Sequence, residues 1–429
     1  MQMVNESSLD SDEIKKTWQP WVVCFAASLF FFYEFIQGNM FASIADNIMR
    51  DFHIQADKMT YLSSIYYASN VLFLFVSGQV LDRCSAKKTL LMAMLLCVMS
   101  TFVLALSHSF YVALACRFMT GIGSAFCFLG PVRLASAWFP PKKMAFVTGA
   151  VVTMAMTGGM LAQYPLTTLV VRVGFRHALL WVGWLGLGLW TLMGLLIRDR
   201  AMKRHEIAPI GVWTSIKKAY LNLITLRIAL YTSLMNMAVA VFGAMMGSLY
   251  LMQRLGVDKE HASFVNALLF LGAILGGPVM GYWSDRLGQR LLPMKLGALL
   301  ALLTMLCILY LPVSLTGMAI LFFLLGFFTA SQVIGYALVA EHSSPMMTAT
   351  ALSVVSVLTQ GGYILYQNVF SHLLLWREGM HMVKGIPVYP LVNYQTASMM
   401  LPVGLFCAWW VLRSVQETYC RHVVQESLS

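Results

Sequence analysis

Apolar runs of roughly twenty residues, broken by short polar stretches, recur along the chain from residue 20 to residue 414. Twelve can be marked, at about 20–45, 59–80, 88–107, 110–137, 144–170, 177–197, 227–252, 261–283, 291–311, 316–340, 348–373 and 396–414. About 20 helical residues cross the roughly 30 Å hydrocarbon core of a bilayer. No water reaches the backbone there, so each run must satisfy its own N–H and C=O groups, which a helix does. The pattern predicts an all-α membrane protein with twelve transmembrane helices.

Composition agrees. The 429 residues are 59% hydrophobic and only 11% charged, with a mean hydropathy of +0.73. A soluble domain carries roughly a quarter charged residues. The net charge of +11 does not point to nucleic acid, because the basic residues sit between apolar runs and form no stripe with interleaved aromatics. They are unevenly shared: about 20 of the 29 lysines and arginines fall on the side that holds both termini. The positive-inside rule makes that side cytoplasmic. The expected organisation is a cytoplasmic tail at 1–19, a six-helix bundle at 20–197, a basic cytoplasmic loop at 198–226, a second six-helix bundle at 227–414 and a cytoplasmic tail at 415–429. The polar, acidic start does not read as a signal peptide. The eight cysteines form no C-x-x-C pair and the nine histidines no ligand cluster, so no metal or cofactor is expected.

Two of the loops on the basic side resemble each other. After the second run the chain carries Gly78, Asp82 and Arg83, and after the eighth Gly281, Asp285 and Arg286, both in the order G-x-x-x-D-R. The offset of about 203 residues marks an internal duplication. The glycine lets a helix end approach a neighbour. The aspartate can pair with the adjacent arginine or cap a helix. Such a cluster is a candidate gate between the halves.

These loops make the chain resemble the major facilitator superfamily over nearly its whole length. The first copy matches the family's G-x-L-a-D-r-x-G-r-k motif at Gly78, Asp82, Arg83 and Lys87 and departs at Ser85 and Ala86; the second adds Gly288 and Arg290. Arg117, Gly121 and Gly123 are similar to the family's R-x-x-q-G motif, with Thr120 for Gln. Gly174, Phe175 and Arg176 resemble its G-W-R turn. The resemblance implies two pseudo-symmetric six-helix bundles that rock about a central site. The first run and the stretch from Arg133 to Gly149 further resemble the phagosomal transporter group of intracellular bacteria, which implies import of amino acids or nucleosides.

Ionisable residues within a membrane are costly and mark function by default. Glu34 in run one and Arg117 in run four come to about the same depth when counted from their helix ends. They could pair structurally, or bind the charged ends of one solute with Glu34 taking up a proton. Gln37 shares the Glu34 face. Gln360, Tyr363 and Gln367 share one face of run eleven, and Asn236 sits at the repeat equivalent of Glu34. Each could line a cavity or simply hydrogen-bond between helices. Tyr66, Tyr67 and Asn70 are weaker members of this set. Arg133 is expected to snorkel toward Pro140 and Lys142. Pro165 is expected to kink run five. Glu341 and His342 read as a proton-accessible pair or as a solvated helix end.

No P-loop, nucleophile elbow or H-E-x-x-H motif is present, so neither an enzyme nor an ATP-driven pump is expected. The leading reading is a monomeric inner-membrane carrier that uses protons to import a small polar nutrient, most of all an amino acid. Hydroxycarboxylate siderophore transport and drug efflux are alternatives. Efflux is disfavoured because run five lacks the Gly-Pro step of the family's exporters. A receptor that transports nothing is disfavoured by the doubled gate motif.

Overall fold

The computed structural model describes residues 18–139, 144–198, 222–343, 348–376, 381–383 and 386–420. The tail before Trp18, most of the basic central loop, Pro140, Lys142 and the last nine residues lie outside them. Twelve helical passages follow one another. Span one is Gln19–Asn39 continued by Phe41–Asp51, span two Ala56–Arg83 and span three Ala86–Leu106. Span four is Phe110–Ser124 with Leu129–Trp138, span five Met144–Leu161 with Tyr164–Val173, and span six Phe175–Leu196. Span seven contains Leu223–Met235, a π-helical segment Val239–Met246 and Gly247–Leu255; span eight is Lys259–Leu287 and span nine Leu291–Tyr310. Span ten joins Leu315–Thr329 to Val333–His342 through a 3₁₀ turn, span eleven is Thr348–Trp376, and span twelve is Leu391–Ser398 with Met400–Val411.

Local chemistry sets several ends. Ser85, Asp258 and Ser314 accept hydrogen bonds from Lys88, His261 and Gly317 backbone N–H groups at the starts of spans three, eight and ten. Gly256 and Gly288 end their helices in the left-handed conformation that glycine adopts without strain. Pro165 opens the second piece of span five rather than kinking a continuous helix. The apolar pattern gave no sign of one element: a hairpin of β1, His381–Val383, and β2, Ile386–Val388, between spans eleven and twelve. It lies beside Phe41–Asp51.

The passages alternate in direction, so Trp18 and Cys420 lie at the same end, the one rich in lysine and arginine. We call it the basic end and the opposite one the far end. Among the described residues, nine spans are long and apolar enough to cross a membrane; spans two, five and eleven, the other three, form part of the surface between the halves.

Within each half the helices touch through their backbones. A Cβ on Gly121 of span four would lie 2.2 Å from the Tyr66 carbonyl oxygen of span two, and one on Gly326 of span ten 1.9 Å from the Leu269 oxygen of span eight. The same pair of spans is therefore pressed together in both halves. Lipid tails give no hydrophobic drive for such contacts, so close packing of small residues supplies it.

Among the described residues, polar contacts between the halves fall at the far end and in the middle. Lys259 Nζ donates to Asp46 at 2.5 Å and to Asn47 at 2.9 Å. Thr167 donates to Ser263 at 2.8 Å, Gln163 to the Gly243 oxygen at 2.8 Å, and Asn266 to Gln163 Oε1 at 2.7 Å. Thr60 meets Ser371, and the Ala56 N–H donates to the Tyr389 hydroxyl at 3.2 Å. Further toward the basic end, the Tyr67 and Tyr363 rings stand 4.7 Å apart. Beyond them, a Cβ on Gly78, Gly149, Gly281 or Gly361 would find no atom within 4 Å. These four glycines belong to spans two, five, eight and eleven, the helices that form the surface between the halves.

Candidate functional site

Span one brings Glu34 and Gln37 onto one face, and span four brings Arg117 against it. Glu34 is 1% exposed and Arg117 0%. No ion pair joins them. Tyr66 of span two contacts both: its hydroxyl donates to Glu34 Oε2 at 3.2 Å, and its ring face lies 4.6 Å from the Arg117 guanidinium carbon. Phe41 faces the same guanidinium at 4.8 Å. Arg117 donates through Nε to the Leu62 oxygen at 3.2 Å and through Nη1 to the Gln37 oxygen at 3.1 Å. The Gln37 side chain is turned away, donating to Thr101 at 3.0 Å. Glu34 Oε1 and Arg117 Nη2 are buried without partners. A buried guanidinium over the ring face and a buried carboxylate at the hydroxyl thus meet one tyrosine, each with one polar atom unused.

The second half holds a different set. Asn236 Oδ1 accepts from Gln332 at 3.1 Å, and its Nδ2 donates to the Thr232 oxygen at 3.0 Å. Gln367 donates to the Ala240 oxygen at 3.0 Å. That carbonyl belongs to the π-helical segment, as do the Phe242 and Gly243 oxygens that receive Asn266 and Gln163. A π turn lengthens the backbone hydrogen-bond loop, and such segments are frequent at functional positions. Gln332 Oε1 and Gln367 Oε1 are buried and unpartnered. Gln163, Asn266 and Gln332 were missed by the sequence reading, though each is visible there as an amide inside an apolar run.

The expected site therefore comes together in two groups, Glu34–Gln37–Arg117 in one half and Asn236 and Gln367 in the other. Tyr363 links them through Tyr67. Gln360, one turn nearer the basic end than Tyr363, is half-buried beside Gly361 and its open space. Of the weaker members, Asn70 donates to Ser124 at 2.7 Å and keeps Oδ1 unpartnered.

The gate motif behaves differently from expectation. The Asp82 and Arg83 side chains lie outside the described ones. Gly78 and Gly281 face open space instead of a close neighbour. Asp285 pairs with Arg290 at 2.5 Å, not with Arg286, which is exposed. Glu341 does not pair with His342 and is not a solvated helix end. It accepts from Arg290 at 2.8 and 3.0 Å and from Thr418 at 2.5 Å. Glu417 closes the cluster by accepting from the Arg290 and Leu291 backbone N–H groups at the start of span nine. Burial pulls the Arg290 guanidinium down, but its bonds to Glu341 and Asp285 outweigh that and hold it well above its ordinary value. All of these groups lie in the second half, so in this conformation the cluster braces one bundle and does not bridge two.

The family model for the Major Facilitator Superfamily matches residues 23–246 and again 228–419. A probable sulfoacetate transporter of Cupriavidus necator is 21% identical over 277 residues, covering 61% of this chain and 64% of that protein. A hexuronate transporter of Bacillus subtilis is 22% identical over 264 residues, 59% of this chain and 61% of its own. The chain thus spans about three-fifths of the length of these curated relatives. A crystal structure of a bacterial homologue of the human lysosomal transporter Spinster, inward-facing and unoccupied, superposes with a TM-score of 0.77 at 16% identity, over 92% of this chain and 97% of that one.

Proposed function

The chain belongs to the Major Facilitator Superfamily, and on that premise we propose that it is a proton-coupled secondary carrier importing a small polar nutrient, an amino acid first of all. The arrangement that carries this reading is Glu34 and Arg117, both buried against Tyr66 without an ion pair and each with an unused polar atom. A carboxylate that meets no cation can take a proton without breaking a salt bridge. A guanidinium with a free N–H can receive a carboxylate. Opposite charges at one depth suit a zwitterion. The resemblance of span one to the phagosomal transporter group supports the same solute class.

The basic end is cytoplasmic in this reading, the membrane is the cell inner membrane, and the working unit is the monomer. The described conformation is then inward-facing: sealed at the far end and open at the basic one. Alternating access follows when the far contacts part and the basic end closes.

A second reading is a small organic anion, since two relatives bear the names of sulfoacetate and hexuronate transporters. Hydroxycarboxylate siderophores belong to this class, but several carboxylates would have to share Arg117. The experiment is uptake into proteoliposomes under an imposed proton gradient, with labelled amino acids, hexuronates, sulfoacetate and citrate. Accumulation of an amino acid is the expected result. Uptake of acids alone selects the second reading, and no uptake or exchange of any solute under any gradient ends the carrier reading.

A further inference from the structure

We propose that Tyr66 is the positioning residue that keeps Glu34 and Arg117 from pairing, and so leaves the Glu34 carboxyl free to exchange a proton. This rests on the proton-coupled reading above. Two opposite charges in a low-dielectric interior attract strongly, and direct contact is their default arrangement. Here both are buried, Glu34 at the Tyr66 hydroxyl and Arg117 over its ring face, and no ion pair joins them. The ring is not free to leave. Its backbone oxygen is pressed against Gly121, one turn beyond Arg117, where a Cβ would fall 2.2 Å away. Its edge packs on Tyr67 at 4.9 Å, and Tyr67 in turn donates to the Gly38 oxygen at 3.1 Å, one turn beyond Glu34. Spans one, two and four thus fix Tyr66 from three sides.

Arg117 is tied as firmly. Its two hydrogen bonds go to backbone oxygens of span one and span two, and Nη2 is left as the one nitrogen without a partner. The other groups acting on the Glu34 carboxyl are few. Tyr33 neighbours it on span one, the Cys97 thiol reaches it from span three, and Cys127 lies in the break of span four. Arg133, Arg176 and His177 belong to helices packed on span one, and Arg176 is engaged with Asp51 at the far end. The Met144–Leu161 piece of span five and the π segment of span seven carry no titratable side chain, and Tyr164 and Arg172 of span five belong to its far-end piece. Arg117 is therefore the cation whose distance decides whether Glu34 is held charged, and Tyr66 sets that distance.

The test reads Glu34 directly and needs no solute. Dicyclohexylcarbodiimide enters lipid and modifies buried carboxyl groups only when they are protonated. Labelling of Glu34 in the reconstituted full chain, followed by mass spectrometry from pH 5 to 9, reports its protonation. Tyr66→Leu removes the spacer and lets Arg117 pair with the carboxylate, so labelling at neutral pH falls about ten-fold or more. Tyr66→Leu combined with Arg117→Gln restores it to within about two-fold of the parent. Tyr66→Phe, which keeps the ring, stays within about three-fold. Unchanged labelling in Tyr66→Leu overturns the proposal. If that variant does not fold, Arg117→Gln alone decides: with the ring in place labelling shifts less than about two-fold, and a ten-fold rise overturns the proposal. Because no transport is measured, failure here is distinguishable from failure of the carrier reading.

Discussion

In the first half the polar interior is charged, with Glu34 and Arg117 buried around Tyr66. In the second, the equivalent depth holds amides and hydroxyls: Asn236 with Gln332, Gln367 on the π segment, and Ser233 shared with Tyr366 at 2.8 Å. The two halves share their helix plan, down to the backbone contacts at Gly121 and Gly326. They do not share their chemistry. A buried carboxyl changes state with one proton, whereas an amide has no second state at ordinary pH and can only orient what it binds. The duplication supplied two scaffolds, and under the proposed function proton chemistry falls to the first and solute orientation to the second.

Three substitutions test that division, in descending order of effect. Glu34→Gln removes the proton-binding group and nearly preserves its shape. Proton-driven accumulation should disappear while solute exchange persists, as measured by counterflow in proteoliposomes. Wild-type pH dependence in this variant would remove Glu34 from the coupling role. Arg117→Lys keeps the charge but cannot span the Gln37 and Leu62 oxygens together. A loss of about 2 kcal/mol in stability is expected, read as a lower melting temperature in detergent. An unchanged melting temperature would mean the fork geometry carries no weight. Gln367→Leu deprives the Ala240 oxygen of its donor, an effect of about 1 kcal/mol. Uptake should weaken a few-fold with its pH profile unmoved; a displaced pH profile would break the division between the halves.

Much of the fold was legible because lipid enforces it. A backbone with no water must be helical, and twenty apolar residues leave little choice of length. The paired loops at Gly78 and Gly281 exposed the duplication because a repeat needs only spacing to be seen. Contacts between distant residues were a different matter. Arg290 finds its partners Glu341 and Glu417 at separations of 51 and 127 residues, and no spacing rule reaches that far. The reading of Asp285 with Arg286 went wrong for a related reason. Adjacent helix residues point in different directions, while a residue just past the helix end can fold back. Glu34 and Arg117 were found as costly residues at one depth, but a tyrosine meeting both lay beyond what depth alone can tell. The hairpin at 381–388 was missed because two three-residue strands carry no hydrophobic period.

The contacts between the halves form a graded seam, from Lys259 with Asp46 at the far rim, through Thr167–Ser263 and Gln163–Asn266, to the Tyr67–Tyr363 rings at mid-depth. A seam loaded at one rim peels: the work at any moment is that of the contact at the front, about one hydrogen bond, and never the sum of them all. Water advancing from the far side stabilises each freed polar group as it is exposed, which makes that rim the easy place to start. The two tyrosine rings then part last. Opening by such peeling needs a small force over a long path instead of a large force at one instant.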